Sequence, residues 1–550
     1  MQQVTMPVET LQSSDALQSE QRRTCSDYEP TINGNSNAKC PEDEEISLEG
    51  PYDRLLGDTE HNWCRAVSVG TGITVLGFLF TNPLNVSDLQ TAIDVVQVQH
   101  PRLRSQLLWI HGRPAFQVCN EPIVKVEVVE KQEESENNKV VSDDEESTPS
   151  ETVIDHLDGE DQQQSTPASS EDCDAKGWLK FVEDELNTNI WPQKEHCVQP
   201  VQLFVVRLYH LPENRSVMIL RLHTAACDRV SAATVSTDIL KALFKIVKGE
   251  LAAPAVSHDT EAEPLPLQED TEMEDKNSGT DLPPVEATIP PGKANKPFWA
   301  HGIDLLGYSL GSRRHALLPF HDSESPRRTG LICSSLSFDH TQALLQACAN
   351  AKASLYGALC AAGLKAAAAA KQLGNRAEHY AVISLVDCRK LLEPSISDNT
   401  VGFYHSALML THHVNEKAEF WDLARRCSSS LDNAMNNRKH FTDMGDLNYL
   451  MYQAISHPNL TPASSLRTSL LVTFRDTLSD EVGDWAAAIG VEDFVGCSSI
   501  HGVGPSLAIF DAIRNGELHC ANVFPAPLHS RSQMQAYVDT MMGYLVEFLP

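Results

Sequence analysis

The stretch Leu220–Ser231, LRLHTAACDRVS, holds the residues whose types and spacing could best support catalysis. An apolar run ends at His223, small residues follow, and Asp228 and Arg229 come just before a helical pattern. A His beside a carboxylate can act as a general base, because imidazole titrates near neutral pH. A lone His at a strand end is more commonly a hydrogen-bonded structural residue, and spacing alone favours that simpler interpretation.

Strand and helix patterns on both sides must position this stretch. In the first part of the chain, GITVLGFLF and the two runs within residues 201–223 predict strands, and apolar side chains at helical spacing follow each. A second block opens near Gly330. It contains a strand LICSSLSF, one long helix over His340–Leu373, a buried strand over 381–388, four further strands between 469 and 524, and a closing helix over Gln533–Leu549. Mixed elements in two blocks predict an α/β (α+β) protein with two layered halves.

Three acidic segments separate these blocks. Residues 1–49, 130–174 and 257–286 carry net charges of −7, −14 and −9, which together account for −30 of the total −32. Their few aromatic residues and many Ser, Pro and Glu residues predict disorder. We therefore predict an acidic tail over 1–49, an N-terminal half over 50–256 with an insert at 130–174, an acidic Pro-rich insert over 257–298 and a C-terminal half over 299–550.

Composition excludes several classes of function. The acidic balance argues against nucleic acid and anionic membrane surfaces, although the folded body is close to neutral. The fourteen cysteines form no C-x-x-C pair, and no H-E-x-x-H motif is present, so we expect no metal site. The first residues lack the basic and apolar regions of a secretory signal, and the longest apolar run is too short to span a membrane. We expect a cytoplasmic protein.

The order of several motifs resembles an acyltransferase superfamily. Residues 223–229 are similar to its HHxxxDG motif, HPRLRSQL (100–107) to its HP-x-LR segment, and SLVDCRKLLEP with DNTVGFYHSALML (384–410) to its second-half strand and N-x-x-G stretch. This superfamily includes chloramphenicol acetyltransferase, BAHD acyltransferases, peptide-synthetase condensation domains and mycobacterial polyketide-associated acyltransferases.

The resemblance implies two chloramphenicol-acetyltransferase-like subdomains, each a mixed sheet with helices, and a tunnel between them. A catalytic His would deprotonate an alcohol or amine, which would attack an acyl thioester of CoA or of a carrier protein. No cofactor would be bound, because the thioester is a co-substrate. Asp228 would pair with Arg389 to orient the motif. A solvated strand-end arginine is the simpler alternative for Arg389.

The sequence departs from this motif where the catalytic His should stand, because Thr224 lies four residues before Asp228. A hydroxyl is not a base near neutral pH. His223 could serve through a shifted loop, or His405 or His501 could line the tunnel and replace it. Alternatively, the chain is an inactive member that binds a ligand or acts as a scaffold. We expect a monomer with small-molecule substrates and possible protein partners for its acidic segments.

Overall fold

A computed structural model describes residues 52–110, 112–129, 177–191, 200–251, 282–312, 314–456, 469–480 and 484–549 of the 550-residue chain. Contacts divide the chain into Met1–Pro51 and a compact unit, Tyr52–Pro550, to which every described residue belongs. The predicted acidic tail, the insert at 130–174 and residues 257–281 of the second insert lie outside the described residues.

Sixteen strands occur in the described part of the chain. They are β1 (Arg54–Leu55), β2 (Thr71–Phe80), β3 (Ser105–Ile110), β4 (Arg113–Val118), β5 (Val126–Val129), β6 (Val201–Gln202), β7 (Phe204–His210), β8 (Ser216–His223), β9 (Arg328–Leu336), β10 (Glu378–Asp387), β11 (His405–Val414), β12 (Leu471–Phe474), β13 (Leu478–Asp480), β14 (Val491–Ile500), β15 (Leu507–Arg514) and β16 (Glu517–Ala526).

Twelve α-helices connect and cover these strands within the same described ranges. They are α1 (Asp58–Ser68), α2 (Val86–Gln99), α3 (Leu179–Leu186), α4 (Arg229–Val247), α5 (Phe298–Ser312), α6 (Phe338–Ala351), α7 (Leu355–Ala370), α8 (Phe420–Asn436), α9 (Lys439–Thr442), α10 (Met444–Ser456), α11 (Asp484–Ala488) and α12 (Arg531–Glu547).

The first half is built around a five-stranded sheet with the order β14-β2-β8-β7-β5. Its central strands β2 and β8 are buried along their whole length, as their continuous apolar runs predict. Helices α2 and α4 cover one face through side chains at helical spacing, such as Ile93, Val235 and Ile239. A separate four-stranded sheet, β1-β4-β3-β6, lies in the same half.

The second half is built around a seven-stranded sheet with the order β11-β10-β12-β15-β16-β9, to which β13 is added beside β15. Helices α6, α7, α8 and α12 contribute to the core on one face. On its other face, Ala508 and Val523 share a core with Val217 and Ile219 of β8. The two halves are therefore joined by continuous apolar packing, which fixes their relative position.

The C-terminal half also contributes one strand to the first sheet, which the sequence boundaries do not anticipate. Strand β14 belongs to the C-terminal half by sequence but pairs antiparallel with β2 in the first sheet. Phe494 on β14 stacks against Phe78 on β2, with ring centroids 5.8 Å apart. The pairing joins residues more than 400 positions apart, so local periodicity carries no information about it.

The predicted second insert extends too far toward the C-terminus. Residues 282–298 include an ordered turn, Val285–Thr288, in which Val285 is fully buried with Cys388 and Leu392. Arg54 Nε donates to the Leu282 carbonyl (2.8 Å), and Glu393 N–H donates to the Thr288 carbonyl (2.9 Å). Acidic composition masked a short apolar segment that packs between the halves.

The predicted long helix over His340–Leu373 is two helices, α6 and α7, bent by 99°. Lys352 ends α6 with a left-handed φ of 55°, and Ser354 caps α7 by accepting from the Gly357 N–H. By length and hydropathy, no single described helix suffices to span a bilayer, and this bent pair reaches the required length only when its two parts are added.

Candidate active site at the seam between the halves

Asp228 and Arg389 form a bidentate ion pair across the two halves. Arg389 Nη1 lies 2.9 Å from Asp228 Oδ2, and Arg389 Nη2 donates to Asp228 Oδ1 at 3.0 Å. Arg389 is fully buried, and Asp228 is 4% exposed. We call the region formed by residues 223–231 of the first half and 387–405 of the second half the seam.

Local structure fixes the carboxylate of Asp228. It caps helix α4, because Oδ1 accepts from the Ser231 N–H at 2.9 Å, and Oδ2 accepts from the Tyr404 N–H at 2.8 Å. Backbone contacts reinforce this position, since Asp228 N–H donates to the Gly402 carbonyl at 3.1 Å. The N-x-x-G stretch therefore supplies the backbone groups that hold the motif's Asp.

Electrostatics keep Asp228 ionised. Burial by itself would raise its pKa, but the neighbouring Arg389 and His405 outweigh burial and hold that pKa well below its usual range. Arg389 also contacts Asp387 Oδ1 (2.9 Å) and the Ser231 hydroxyl (2.8 Å). The pair is thus embedded in hydrogen bonds, as a buried ion pair requires.

His405 is the third member of this cluster. Its Nδ1 lies 3.1 Å from Asp228 Oδ2, within ion-pair distance, although the two atoms are not aligned as a regular hydrogen bond. The residue opens strand β11 directly opposite Asp387 and is 4% exposed. The structure therefore places this predicted tunnel residue against the carboxylate of the motif.

His223 occupies the end of strand β8, where the sequence predicts it. Its Nδ1 accepts the Ala225 N–H at 3.1 Å, and its ring lies edge-on to Trp191, with centroids 5.2 Å apart. Burial lowers its pKa to about 3, so the ring is neutral at pH 7. Because Nδ1 is the acceptor, Nε2 carries the proton. His223 is therefore suited to donate a hydrogen bond and unsuited to act as a base through Nε2.

Thr224 lies in a network of hydroxyl groups. Its Oγ1 donates to the Gly72 carbonyl at 2.5 Å and lies 3.0 Å from Thr74 Oγ1, which in turn is 2.8 Å from Ser498 Oγ. Thr74 is on β2 and Ser498 is on β14, so a strand of the C-terminal half contacts the residues of the motif. The sequence offered no signal for these partners, because isolated hydroxyl residues are common in strands.

His501 lies just after β14, at the end of the first sheet where β8 leads into Thr224. Its Nδ1 is 3.0 Å from Thr329 Oγ1, and its ring packs so closely on Gly70 that a β-carbon there would lie 2.0 Å from Nε2. These contacts give His501 a packing role and a place beside β2. The structure does not bring it into the Asp228 cluster.

A separate charged cluster lies between helices α5 and α10. Carboxylates of Asp304, Asp443 and Asp446 are close enough to share an ion. The ammonium of Lys296 lies 2.5, 3.0 and 2.6 Å from these three groups. Lysine already supplies the compensating positive charge, so this cluster anchors α5 and carries no argument for a metal.

Comparisons with known proteins agree with this architecture. Residues 326–478 match the family model of the phthiocerol/phthiodiolone dimycocerosyl transferase C-terminus. This match contains β9–β11, Arg389 and His405. No curated protein sequence matches the chain.

Solved structures share the fold at low sequence identity. The trichothecene 15-O-acetyltransferase from Fusarium sporotrichioides is 13% identical with a TM-score of 0.59, over 90% of this chain and 95% of that one. The first condensation domain of the calcium-dependent antibiotic synthetase is 14% identical with a TM-score of 0.54, over 90% and 96%. Polyketide synthase associated protein 5 from Mycobacterium tuberculosis is 14% identical with a TM-score of 0.53, over 91% and 100%. The chain therefore has the same two-lobed fold as these acetyltransferase and condensation-domain structures, and its residues 326–478 are similar to the C-terminal part of the transferase family.

Proposed function

We propose that the protein transfers an acyl group from a CoA or carrier thioester to an alcohol or amine at the seam. The observation that carries the proposal is the bidentate Asp228–Arg389 pair, which holds the loop after β8 against the second half. The acetyltransferase and condensation-domain names of the structural relatives support the reaction class. The thioester enters as a co-substrate, so no resident cofactor is needed.

The seam residues take distinct roles in this proposal. Asp228 and Arg389 are positioning residues, because their ion pair and backbone contacts fix the loop. His223 donates a hydrogen bond from Nε2, which suits an oxyanion that forms on the thioester carbonyl. Thr224 orients its neighbours through the Gly72 carbonyl and the Thr74 hydroxyl.

A cytoplasmic, monomeric enzyme acting on small molecules remains part of this proposal, as do protein partners for the acidic segments. The alternative is an inactive member that binds a ligand. The hydroxyl network around Thr224 favours that alternative, because it fills the position of the expected imidazole with fully engaged groups.

A two-stage experiment tests the proposal. A thermal-shift screen over acyl-CoA chain lengths identifies donors, since a ligand that binds only the folded state raises the melting temperature. The stabilising donors are then incubated with a panel of alcohols and amines, and free thiol release is followed for wild type and His223→Ala. Acceptor-dependent release supports the proposal. Binding without release from any combination supports the inactive alternative.

A further inference from the structure

We propose that His405, held against Asp228, is the general base of this acyl transfer and fills the role that Thr224 cannot. The inference rests on the proposed function and names the proton acceptor that the reaction needs. It depends on a His–carboxylate contact, on the tautomer that the contact favours, and on the position of the ring beside the motif.

The contact with Asp228 favours the tautomer that a base requires. Asp228 is an ionised acceptor, so the facing His405 Nδ1 at 3.1 Å is favoured to carry the proton. The lone pair of a neutral ring then resides on Nε2, on the opposite edge. Nδ1 is buried, so the exposed 5% of the His405 side chain belongs to its other atoms.

His223 has the opposite arrangement. Its Nδ1 lone pair is engaged by the Ala225 N–H, which places the proton on Nε2. Thr224 has no basic atom at all. Of the two histidines in the described seam residues, His405 is the one that lies against a carboxylate.

Aromatic packing connects His405 to the position of the missing imidazole. A β-carbon on Gly72 would lie 2.9 Å from the Trp63 ring and 3.1 Å from Thr224 Oγ1, so both residues border the same point of β2. Trp63 packs on Phe403 with centroids 5.6 Å apart, and Phe403 is 6.3 Å from the His405 ring. Trp63 and Phe403 therefore link the surroundings of Thr224 to those of His405.

The neighbours of the His405 ring include two acidic residues, an aromatic ring and an arginine. Asp228 touches Nδ1, and Asp387 stands opposite His405 on β10. Phe474 packs edge-on to the ring at 6.3 Å and separates it from the Arg229 guanidinium. Arg389 binds the same Asp228 carboxylate, and the two carboxylates that it contacts offset its charge.

The chemical step balances without another reactant. His405 Nε2 takes the proton from the acceptor hydroxyl or amine as its oxygen or nitrogen attacks the thioester carbonyl carbon. The tetrahedral intermediate then collapses, the carbon–sulfur bond breaks, and the leaving thiolate receives the proton from the imidazolium. The products are an ester or amide and a free thiol, and His405 returns to its neutral form.

His405→Gln tests the role of the ring, because Gln can still donate to Asp228 but cannot accept the proton. His412→Gln is the matched control: His412 lies on the same strand, is 2% exposed, and faces Cys427 with Nδ1 3.8 Å from Sγ. We expect kcat to fall by about 10²–10⁴ in His405→Gln with little change in KM. His412→Gln should retain the wild-type kcat and KM. Activity of His405→Gln within threefold of wild type would overturn the assignment.

A second measurement keeps the inference separate from the proposed function. Nitrogen-15 NMR of histidine-labelled wild type reports the tautomer, with the His405 signals assigned by their loss in His405→Gln or, if that variant does not fold, His405→Asn. A proton on Nδ1 supports the inference. A proton on Nε2 overturns it even if acyl transfer is observed. The expected tautomer without turnover of any donor refutes the proposed function and, with it, the role of His405 as a base.

Discussion

Arg229 and Asp511 join the halves one residue beyond Asp228, where the HHxxxDG motif has its glycine. Arg229 Nη1 lies 3.7 Å from Asp511 Oδ1, Nη2 donates to the Asp511 carbonyl, and the guanidinium stacks 4.2 Å from the Phe474 centroid. Asp511 is 1% exposed and also accepts the Thr477 hydroxyl at 2.5 Å. Arg229, which stands where the motif has glycine, therefore pairs with a residue of β15 and adds a second ionic link across the halves.

Removing the guanidinium tests this second link. Arg229→Met should lower the free energy of unfolding by about 3–5 kcal/mol, because it leaves Asp511 buried without its cation. Arg229→Lys retains the charge and should lose less. Urea unfolding followed by tryptophan fluorescence measures both. Equal stability of wild type and Arg229→Met would show that the link contributes nothing.

Asp228 should matter more to stability than the neighbouring His223. Asp228→Ala leaves the fully buried Arg389 without its main partner, so we expect a loss of about 3–5 kcal/mol and a larger drop in melting temperature than His223→Ala produces. The double variant Asp228→Ala with Arg389→Met should recover part of the loss, because the unpaired charge is gone. A smaller effect for Asp228→Ala than for His223→Ala would contradict the ion-pair account.

The Thr224 hydroxyl should contribute to stability through the Gly72 carbonyl. Thr224→Val keeps the side-chain shape but removes the hydroxyl that donates to this buried carbonyl and leaves Thr74 with Ser498 as its remaining hydroxyl partner, at a cost of about 1–3 kcal/mol. Thr224→Ser keeps the hydroxyl and is the matched control. Calorimetry measures the melting temperatures of the two variants. An unchanged melting temperature in Thr224→Val would mean that the hydroxyl network does not contribute to stability.

His223 should make stability depend on pH between about 6.5 and 3. Burial lowers its folded pKa to about 3, whereas an unfolded His titrates near 6.5. Within this window the unfolded chain binds the proton and the folded chain does not, so unfolding becomes easier as pH falls, by about 1.4 kcal/mol per pH unit from this group.

The matched variant for this effect is His223→Asn, whose side-chain oxygen can still accept the Ala225 N–H. Urea unfolding at pH 7, 6 and 5 should show a shallower pH dependence for the variant than for wild type. Other buried histidines affect both proteins equally and cancel in the comparison. Parallel pH dependences would show that His223 is not held neutral by burial.

Much of the fold follows from the sequence because its elements have strong local patterns. Apolar runs in the sequence predict strands β8, β10, β15 and β16, and apolar residues at helical spacing predict helix α12. The resemblance placed Asp228 beside Arg389, which no local pattern could do.

The rest of the site depends on contacts that are distant in sequence. Thr74 and Ser498 meet Thr224 only because β14 crosses into the first sheet. The orientation of His223 depends on one backbone N–H in a short turn, and the position of His405 depends on the register of β11 with β10. These features depend on strand pairing and packing. Residue type alone therefore identifies the histidines as candidates but does not show which of them lies in the site.

The central claim is acyl transfer at the seam, and product analysis tests it most directly. Purified protein is incubated with the acyl-CoA that most raises its melting temperature and with the acceptor panel, and mass spectrometry quantifies acylated product against free CoA. The account predicts acceptor-dependent product in a 1:1 ratio with CoA, reduced about 10²–10⁴-fold in His405→Gln. Stabilisation by acyl-CoA with no acylated product from wild type would contradict the account and indicate a protein that only binds the thioester.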